Sequence, residues 1–259
     1  MLFLLYLKFS ALKKHIPNFV TLLNVLSGSI AVLFAVNGNM PATALFVFLG
    51  IFFDFFDGLL ARKLNVQSEL GLQLDSLADM ITSGLVPGLV MFHLLSFTVG
   101  DFNLNTNSAQ WSDSLFGTIQ WLPFLGLLIT LASAYRLATF NISTNQSDHF
   151  IGLPTPANAL LILSFPLILE YQDNDIINSI ILNQWFLIGV TLLSCYLLNA
   201  KINLIALKFK TWNFKDNAAR YLLIILTIVL LVIFKFAGIP LIILLYLLLS
   251  LVSRSFINS

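Results

Sequence analysis

Long apolar segments dominate this chain and limit what it can fold into. Eight of them recur, at about residues 19–36, 41–62, 71–98, 118–141, 154–172, 184–199, 220–236 and 238–253. A helix needs about 20 consecutive apolar residues to cross the hydrocarbon core of a bilayer. Backbone polar groups have no water partners there, so such segments fold as helices. The sequence therefore predicts an all-α polytopic membrane protein of about eight transmembrane helices, with six or seven as the alternative.

The composition excludes a soluble globular domain. Hydrophobic residues make up 58% of the 259 residues and charged residues only 10%, and the mean hydropathy is +0.92. Neither an internal repeat nor a linker rich in Pro, Ser or Gly divides the chain, so residues 1–259 are predicted to form a single membrane-embedded domain. The first 18 residues predict a short amphipathic helix on the membrane surface. Residues 100–117 are polar and predict an outer loop. Gly84, Pro87 and Gly88 predict a kink or a break in the third apolar segment, because Pro removes a backbone hydrogen bond.

The basic residues fall on one side of the predicted topology. Of the 13 Lys and Arg residues, twelve share that side, namely Lys8, Lys13, Lys14, Arg62, Lys63, Arg136, Lys201, Lys208, Lys210, Lys215, Arg220 and Arg254. Only Lys235 lies opposite. Since Lys and Arg concentrate in cytoplasmic loops, we expect a multi-pass protein of the cytoplasmic membrane with both termini and the charged loops facing the cytoplasm. The basic loops are thus interpreted as topology signals, and no nucleic-acid partner is expected.

Four aspartates lie within the second and third apolar segments. Helical spacing puts Asp54, Asp57, Gly58, Ala61 and Arg62 on one face of the second segment, and Gly71, Asp75 and Asp79 on one face of the third. An Asp near the centre of a membrane helix costs about 2.5 to 3.5 kcal/mol, so four would cost on the order of 10 kcal/mol without compensation. In two antiparallel neighbouring helices the acids match in depth, at roughly 12 Å and roughly 6 to 8 Å from the connecting turn. The four carboxylates are therefore predicted to converge.

Convergent carboxylates repel one another unless cations or protons neutralise them. Their oxygens suit Mg²⁺, Mn²⁺ or Ca²⁺ better than zinc. Two divalent ions would balance four acids and would clamp a phosphoryl group during in-line displacement. Arg62 would donate to a phosphate oxygen, and Gly58 and Gly71 would let a bulky ligand approach the backbone. The alternative is a set of mutually paired buried charges, for which Arg62 alone is nearby.

These residues complete the pattern DxxDGxxARx8GxxxDxxxD between Asp54 and Asp79, and in this the chain resembles the CDP-alcohol phosphotransferases. The resemblance implies a homodimer and a six-helix catalytic core, here residues 15–160, followed by additional transmembrane helices in residues 161–259. It also implies two divalent cations, Mg²⁺ or Mn²⁺, and Asp79 as general base toward the acceptor hydroxyl. The implied metal ligands are Asp54, Asp57, Asp75 and Asp79. The implied CDP-lipid site comprises Asn18, Thr21, Asp57, Gly58, Ala61, Arg62, Ser68 and Gly71.

Four further stretches resemble the members of that family whose acceptor is serine. They are HIPNFVTLLNVLSGSIA from residue 15, DSLADMITSGLVPG from residue 75, AYRLATFN from residue 134 and FIGLPTPANA from residue 150. The resemblance implies transfer of a phosphatidyl group from CDP-diacylglycerol to L-serine, with CMP as the second product. Glycerol 3-phosphate or an inositol phosphate stays open as the acceptor, although a phosphorylated acceptor would need more basic residues near the site.

A cation transporter is the alternative from a different functional class. It would also place Asp residues within membrane helices, but it is expected to carry them at several depths along a path across the bilayer. Here the four acids cluster near one side. The clustering therefore favours the enzyme.

Four residues are predicted to bind the acceptor, namely Asn24, Arg136, Asn141 and Thr155. A permanent cation within a membrane helix is costly unless it meets an anion, so Arg136 is predicted to contact substrate or phosphate. The alternative is an arginine that snorkels or pairs with an acid. Asn141, Thr155 and the nearby Asn158 would offer hydrogen bonds at the same entrance, or would instead cap the adjoining helix.

Overall fold

The structure, a computed structural model, describes residues 13, 15–99, 121–142, 150–172, 174–204 and 214–257. Helices make up nearly all of these residues. The α-helices are α1 (His15–Val36), α2 (Met40–Lys63), α3 (Glu69–Asp79), α4 (Val86–Val99), α5 (Leu128–Ile142), α6 (Thr155–Tyr171), α7 (Asp175–Ile181), α8 (Gln184–Asn199), α9 (Phe214–Phe234) and α10 (Gly238–Ile257). A π-helical segment (Met80–Leu85) joins α3 to α4, and 3-10 segments (Leu122–Leu127 and Lys235–Ala237) precede α5 and α10. Two-residue strands β1 (Phe150–Ile151) and β2 (Asn203–Leu204) pair antiparallel.

Within the described residues, five helical stretches are long and apolar enough to cross a membrane. They are His15–Val36, Met40–Lys63, Glu69–Val99, Leu122–Ile142 and Tyr221–Leu251. The pair α7 and α8, bent by 61°, would make a sixth. The all-α polytopic class is therefore confirmed, with fewer candidate spans than the eight expected.

Two features account for the lower number of spans. Helix α6 has only 17 residues, and the last two predicted segments lie within the single apolar stretch Tyr221–Leu251. They are nevertheless separate helices, α9 and α10: a Cβ at Gly238 would lie 2.6 Å from the Leu230 carbonyl oxygen, so the chain reverses between them. The amphipathic helix predicted for the first 18 residues falls mostly outside the described residues, and the outer loop predicted at 100–117 falls wholly outside them.

Helix α1 buries small and polar side chains and exposes large apolar ones. Its buried positions include Thr21, Asn24 and Gly28, whereas Phe19 and Leu33 are 62% and 65% exposed. This inverts the pattern of a soluble protein. Large apolar side chains gain nothing by leaving lipid, whereas small residues let helices approach closely. The exposed side chains therefore mark the lipid-facing surface.

A close three-helix junction follows from these small residues. A Cβ at Gly50 of α2 would lie 2.6 Å from Thr82 Cγ2, and one at Gly28 would meet the Thr82 hydroxyl. The Thr82 hydroxyl donates a hydrogen bond of 2.7 Å to Asn24 Oδ1. Helix α3 packs along α1, as does α2, so α1 runs beside both helices that carry the four acids. The sequence had predicted α2 and α3 as direct neighbours and had not predicted that α1 packs along both of them.

The π-helical segment is the interruption that Gly84 and Pro87 led us to expect. The Val86 N–H bonds to the Ile81 carbonyl, five residues back. Pro87 has no N–H to continue an α-helical ladder. The Thr130 hydroxyl donates to the Gly84 carbonyl at 3.1 Å. The wider turn begins directly after the last of the four acids.

The C-terminal helices pack back onto the rest of the bundle. The Gln172 side chain, just beyond α6, accepts from the Ala237 N–H at 2.9 Å and donates to the Phe234 carbonyl at 3.0 Å. Further along α10, Ile243 belongs to the same buried apolar cluster as Leu153, which precedes α6. Helix α10 therefore runs antiparallel to α6, held at its start by both hydrogen bonds of one amide.

Candidate active site

Three of the four predicted acids come together between α2 and α3. Carboxylate oxygens of Asp54, Asp57 and Asp75 all lie within 4.8 Å of one another. We call these three residues the acid triad. Asp57 is only 4% exposed, and its Oδ2 has no hydrogen-bond partner. The triad thus concentrates negative charge in a partly buried place, where its neutralisation requires a cation or protons.

Asp79 lies beside the acid triad. Electrostatic interactions link it to Asp54 and Asp75 on one side. On the other side the Thr155 hydroxyl of α6 approaches its Oδ2 at 3.5 Å, and the half-buried Arg136 guanidinium of α5 attracts it. Asp79 is therefore placed between the triad and two groups that come from later helices.

Three predicted CDP-lipid residues meet at the start of α3. Ser68 caps this helix, its Oγ accepting the Gly71 N–H at 3.0 Å. A Cβ at Gly71 would lie 3.3 Å from Asn18 Oδ1 and 3.2 Å from Ser68 Oγ. Thr21 of α1 faces Asp57. The absence of a side chain at Gly71 thus lets Asn18 and Ser68 approach the start of α3 closely.

The remaining predicted CDP-lipid residues form the open side of α2. The nearest atom to a Cβ at Gly58 would be Arg62 Nη2, at 3.9 Å. Arg62 is exposed, and Ala61 is half-buried. A ligand that reaches the acid triad along this face would meet bare backbone and then a guanidinium group. The roles of all these residues stay predictions.

The four predicted acceptor residues divide into two pairs. Arg136 and Thr155 lie next to Asp79, as described above. Asn24 is fully buried in the α1 junction and accepts from Thr82. Asn141 accepts from Ser76 at 3.0 Å, and its amide donates to Gln73 on the same helix, so it ties α5 to α3. The structure thus gives Asn24 and Asn141 helix-to-helix bonds, and brings only Arg136 and Thr155 to Asp79.

Two buried serines near the site were not among the predicted site residues. Ser83 follows Asp79 by four residues, and Ser133 precedes Arg136 by three. Both are 0% exposed, and neither hydroxyl has a partner. These spacings put Ser83 on the helix face of Asp79 and Ser133 on the helix face of Arg136, and this signal in the sequence would have identified them.

The acid triad suits a hard divalent cation. It supplies only carboxylate oxygens, the donors that Mg²⁺ and Mn²⁺ prefer. A buried carboxylate oxygen without a partner, as in Asp57, is unfavourable unless a positive charge lies against it. The residues present therefore fit a metal centre.

Comparison with known proteins decides the family. Residues 14–196 match the sequence model of the CDP-alcohol phosphatidyltransferases, which is well over half of the chain. The chain belongs to this family. The acid triad and the residues around it are thus the residues of the motif that runs from Asp54 to Asp79, on which the family resemblance was based.

Several curated relatives are similar over most of this region. CDP-diacylglycerol–serine O-phosphatidyltransferase of Bacillus subtilis is 34% identical over 157 residues, which cover 58% of this chain and 76% of the relative. The protein of the same name from Methanocaldococcus jannaschii is 33% identical over 179 residues, 69% of this chain and 71% of the relative. Archaetidylserine synthase of Methanothermobacter thermautotrophicus is 29% identical over 161 residues, 61% of this chain and 60% of the relative.

Proposed function

We propose that this protein is a CDP-diacylglycerol–serine O-phosphatidyltransferase, which transfers the phosphatidyl group of CDP-diacylglycerol to L-serine and releases CMP. The observation that carries the proposal is the acid triad with Asp79 beside it, in a chain of the CDP-alcohol phosphatidyltransferase family. The names of the similar proteins favour serine as the acceptor. The product is phosphatidylserine, a membrane phospholipid.

Asp54, Asp57 and Asp75 would hold a first divalent cation, and Asp79 would complete the ligands of a second. Mg²⁺ and Mn²⁺ both suit this donor set. When bound, such ions neutralise the pyrophosphate of the CDP-lipid and stabilise the charge that develops at phosphorus. Arg62, at the open side of α2, is placed to donate to a phosphate oxygen.

Asp79 would accept the proton of the serine hydroxyl. The serine oxygen then forms a bond to the lipid-linked phosphorus, and the bond from this phosphorus to the bridging oxygen of CMP breaks, so that CMP leaves with the electron pair. Thr155 and Arg136 contact or attract Asp79 and would hold its carboxylate in place. Holding acceptor and donor together in this way makes the transfer effectively unimolecular.

The protein spans the membrane several times, and we infer that this is the cytoplasmic membrane with the acid triad near the cytoplasmic face. The positions of Arg62 and Lys63 support this orientation, because basic residues concentrate on the cytoplasmic side. Phe52 and Phe55 of α2 are 54% and 61% exposed beside the acids. They offer a lipid-facing surface along which the diacylglycerol tails would enter from the bilayer. A homodimer is a further expectation, which the mass of the purified protein in detergent would test.

An acceptor panel tests the proposal. Purified protein is incubated with CDP-diacylglycerol and serine, glycerol 3-phosphate, inositol phosphate or no acceptor, each with and without EDTA. We expect phosphatidylserine and CMP only in the arm that contains serine as acceptor, and no product when EDTA is present. Faster turnover with a phosphorylated acceptor would overturn the choice of serine. Cation flux in liposomes without any turnover of the CDP-lipid would instead indicate a transporter.

A further inference from the structure

Three buried polar side chains near Asp79 lack hydrogen-bond partners. Ser83, Ser133 and Asn158 are each 0% exposed. The hydroxyls of both serines are unpartnered, as are both Oδ1 and Nδ2 of Asn158. Elsewhere in the bundle, the buried hydroxyl of Thr191 donates to the Leu187 carbonyl one turn before it, whereas that of Ser194 is a single unpartnered group. Because buried polar groups are normally paired, a cluster of unpaired ones indicates that something else pairs with them.

The three side chains share one place in the fold. Ser83 lies one turn beyond Asp79, Asn158 lies one turn into α6 from Thr155, and Thr155 contacts Asp79. Helix α6 packs against the π-helical segment that contains Ser83. These side chains therefore lie one helical turn deeper than the proposed general base.

Helix α5 closes the same place from another side. A Cβ at Gly84 would lie 3.2 Å from Ser133 Cβ, so Ser133 sits against the backbone next to Ser83. Arg136 follows Ser133 by one turn and interacts with Asp79. Its Nε is buried and without a partner. Donors and acceptors from α5, α6 and the π-helical segment are thus left unpaired around one carboxylate.

We propose that Ser83, Ser133 and Asn158 line the acceptor pocket and that Asn158 recognises the ammonium group of serine. This inference rests on the proposed function. The serine hydroxyl faces Asp79, its carboxylate meets the Arg136 guanidinium, and its ammonium group donates to Asn158 Oδ1. The two serine hydroxyls of the protein complete the polar lining.

This arrangement explains how the site discriminates between acceptors. An amino acid offers one negative and one positive group, which Arg136 and Asn158 match. Glycerol 3-phosphate has no ammonium group to donate to Asn158, and it brings about two negative charges that Arg136 would have to meet alone. A buried polar group left unpaired by the wrong ligand disfavours that ligand strongly.

Asn158→Leu tests the inference, since leucine has a similar size but no polar atoms. We expect the KM for L-serine to rise about 10- to 100-fold, as for a hydrogen bond to a charged group, with the KM for CDP-diacylglycerol unchanged. L-glycerate carries a hydroxyl in place of the ammonium group. The preference of the enzyme for L-serine over L-glycerate, measured as the ratio of kcat/KM values, should therefore fall by a similar factor.

Thermal unfolding separates this role from a structural one. Asn158→Leu removes two buried unpartnered polar atoms, so the Tm should stay the same or rise. A structural asparagine would instead lower the Tm. If the leucine variant does not fold, Ser83→Ala gives the second measurement, with an expected rise in the KM for serine of about 3- to 10-fold.

Ser164→Ala is the matched control. Ser164 is also fully buried on α6, but its hydroxyl donates to the Leu161 carbonyl at 2.6 Å, so both Michaelis constants should stay unchanged. Wild-type protein that makes no phosphatidylserine would refute the proposed function itself. Wild-type protein that makes it, while both pocket variants keep the wild-type KM for serine, would overturn this inference alone. A rise in the KM for CDP-diacylglycerol would also overturn it, because the residues would then serve the lipid donor.

Discussion

The polar groups at Gln172 and those around Asp79 lie in the same apolar bundle, but they differ in whether the protein itself supplies their hydrogen-bond partners. At Gln172 the amide oxygen and nitrogen both bond to backbone atoms next to the start of α10. Around Asp79, carboxylates face one another, and the polar atoms of Asn158 have no partner. The first arrangement is complete within the chain, whereas the second is the one that we propose to be completed by a cation and a substrate. At Gln172 the paired amide ties helices together, and around Asp79 the unpaired groups are those that we propose to bind ligands.

Metal removal should have the largest effect of the experiments that test this difference between the two regions. If the acid triad needs a cation, EDTA should reduce phosphatidylserine synthesis to background, and added Mn²⁺ or Mg²⁺ should restore it. The measurement is incorporation of labelled serine into lipid. Full activity in a chelated, metal-free preparation would show that protons alone neutralise the triad.

Asp79→Asn should have the next largest effect. Asparagine keeps the size of the side chain but does not take a proton from the serine hydroxyl. Loss of a general base lowers the rate by about 10²- to 10⁴-fold. The rate is measured at saturating serine and CDP-diacylglycerol.

The matched control for Asp79→Asn is Asn178→Asp, which makes the reverse exchange on α7, away from the site. Its rate should stay near that of the wild type. The Tm of Asp79→Asn should not fall, because the change relieves repulsion with Asp54 and Asp75. Wild-type turnover by the Asp79→Asn variant would show that Asp79 is not the general base.

Gly50→Ala tests the close junction of α1, α2 and the π-helical segment. The added methyl group would lie 2.6 Å from Thr82 Cγ2 and 2.8 Å from Asn24 Oδ1. Overpacking of this kind typically costs about 1 to 3 kcal/mol. We expect a lower Tm in detergent. Gly189→Ala serves as control, because no atom lies within 4 Å of a Cβ there, and an equal loss in both variants would contradict the packing argument.

Gln172→Ala should have the smallest effect. It removes two hydrogen bonds, each contributing about 0.5 to 1.5 kcal/mol to stability. The Tm should fall, while kcat and both Michaelis constants stay at wild-type values, because Gln172 lies at the other end of α6 from Thr155. A change in the KM for serine would show that the two regions are coupled.

The sequence predicted the membrane-helical class and the residues that form the acid triad. Helical spacing is local, so it put Asp54 and Asp57 on one face and Asp75 and Asp79 on another without any tertiary information. It did not reveal that α1 runs beside both helices, because the choice of neighbour depends on which small residues permit close approach. Gly28 and Gly50 carry that information, but only the folded bundle shows that both meet Thr82.

The acceptor residues were harder to predict for a related reason. An amide in an apolar helix is equally suited to bonding a substrate or a neighbouring helix. Asn24 and Asn141 have protein partners, whereas Asn158 has none. The same residue type is thus bonded to a neighbouring helix at two positions and unpartnered at a third, and only the positions of the surrounding helices distinguish them. The π-helical segment was predicted only as an interruption, since Pro87 excludes a regular α-helix there without specifying what replaces it.

That segment also changes the rotational phase of the span that contains it. An α-helix advances about 100° per residue, so one additional residue in a turn rotates everything after it by about that angle relative to everything before. The half that precedes Met80 can therefore aim its carboxylates at α2 while the half that follows buries Val90, Met91 and Leu94 in the apolar core. Deleting one residue from the turn would rotate the second half by about 100° relative to the first, so that the two halves could no longer both face their partners. One continuous span thereby serves a polar reaction centre and an apolar interior without compromising either.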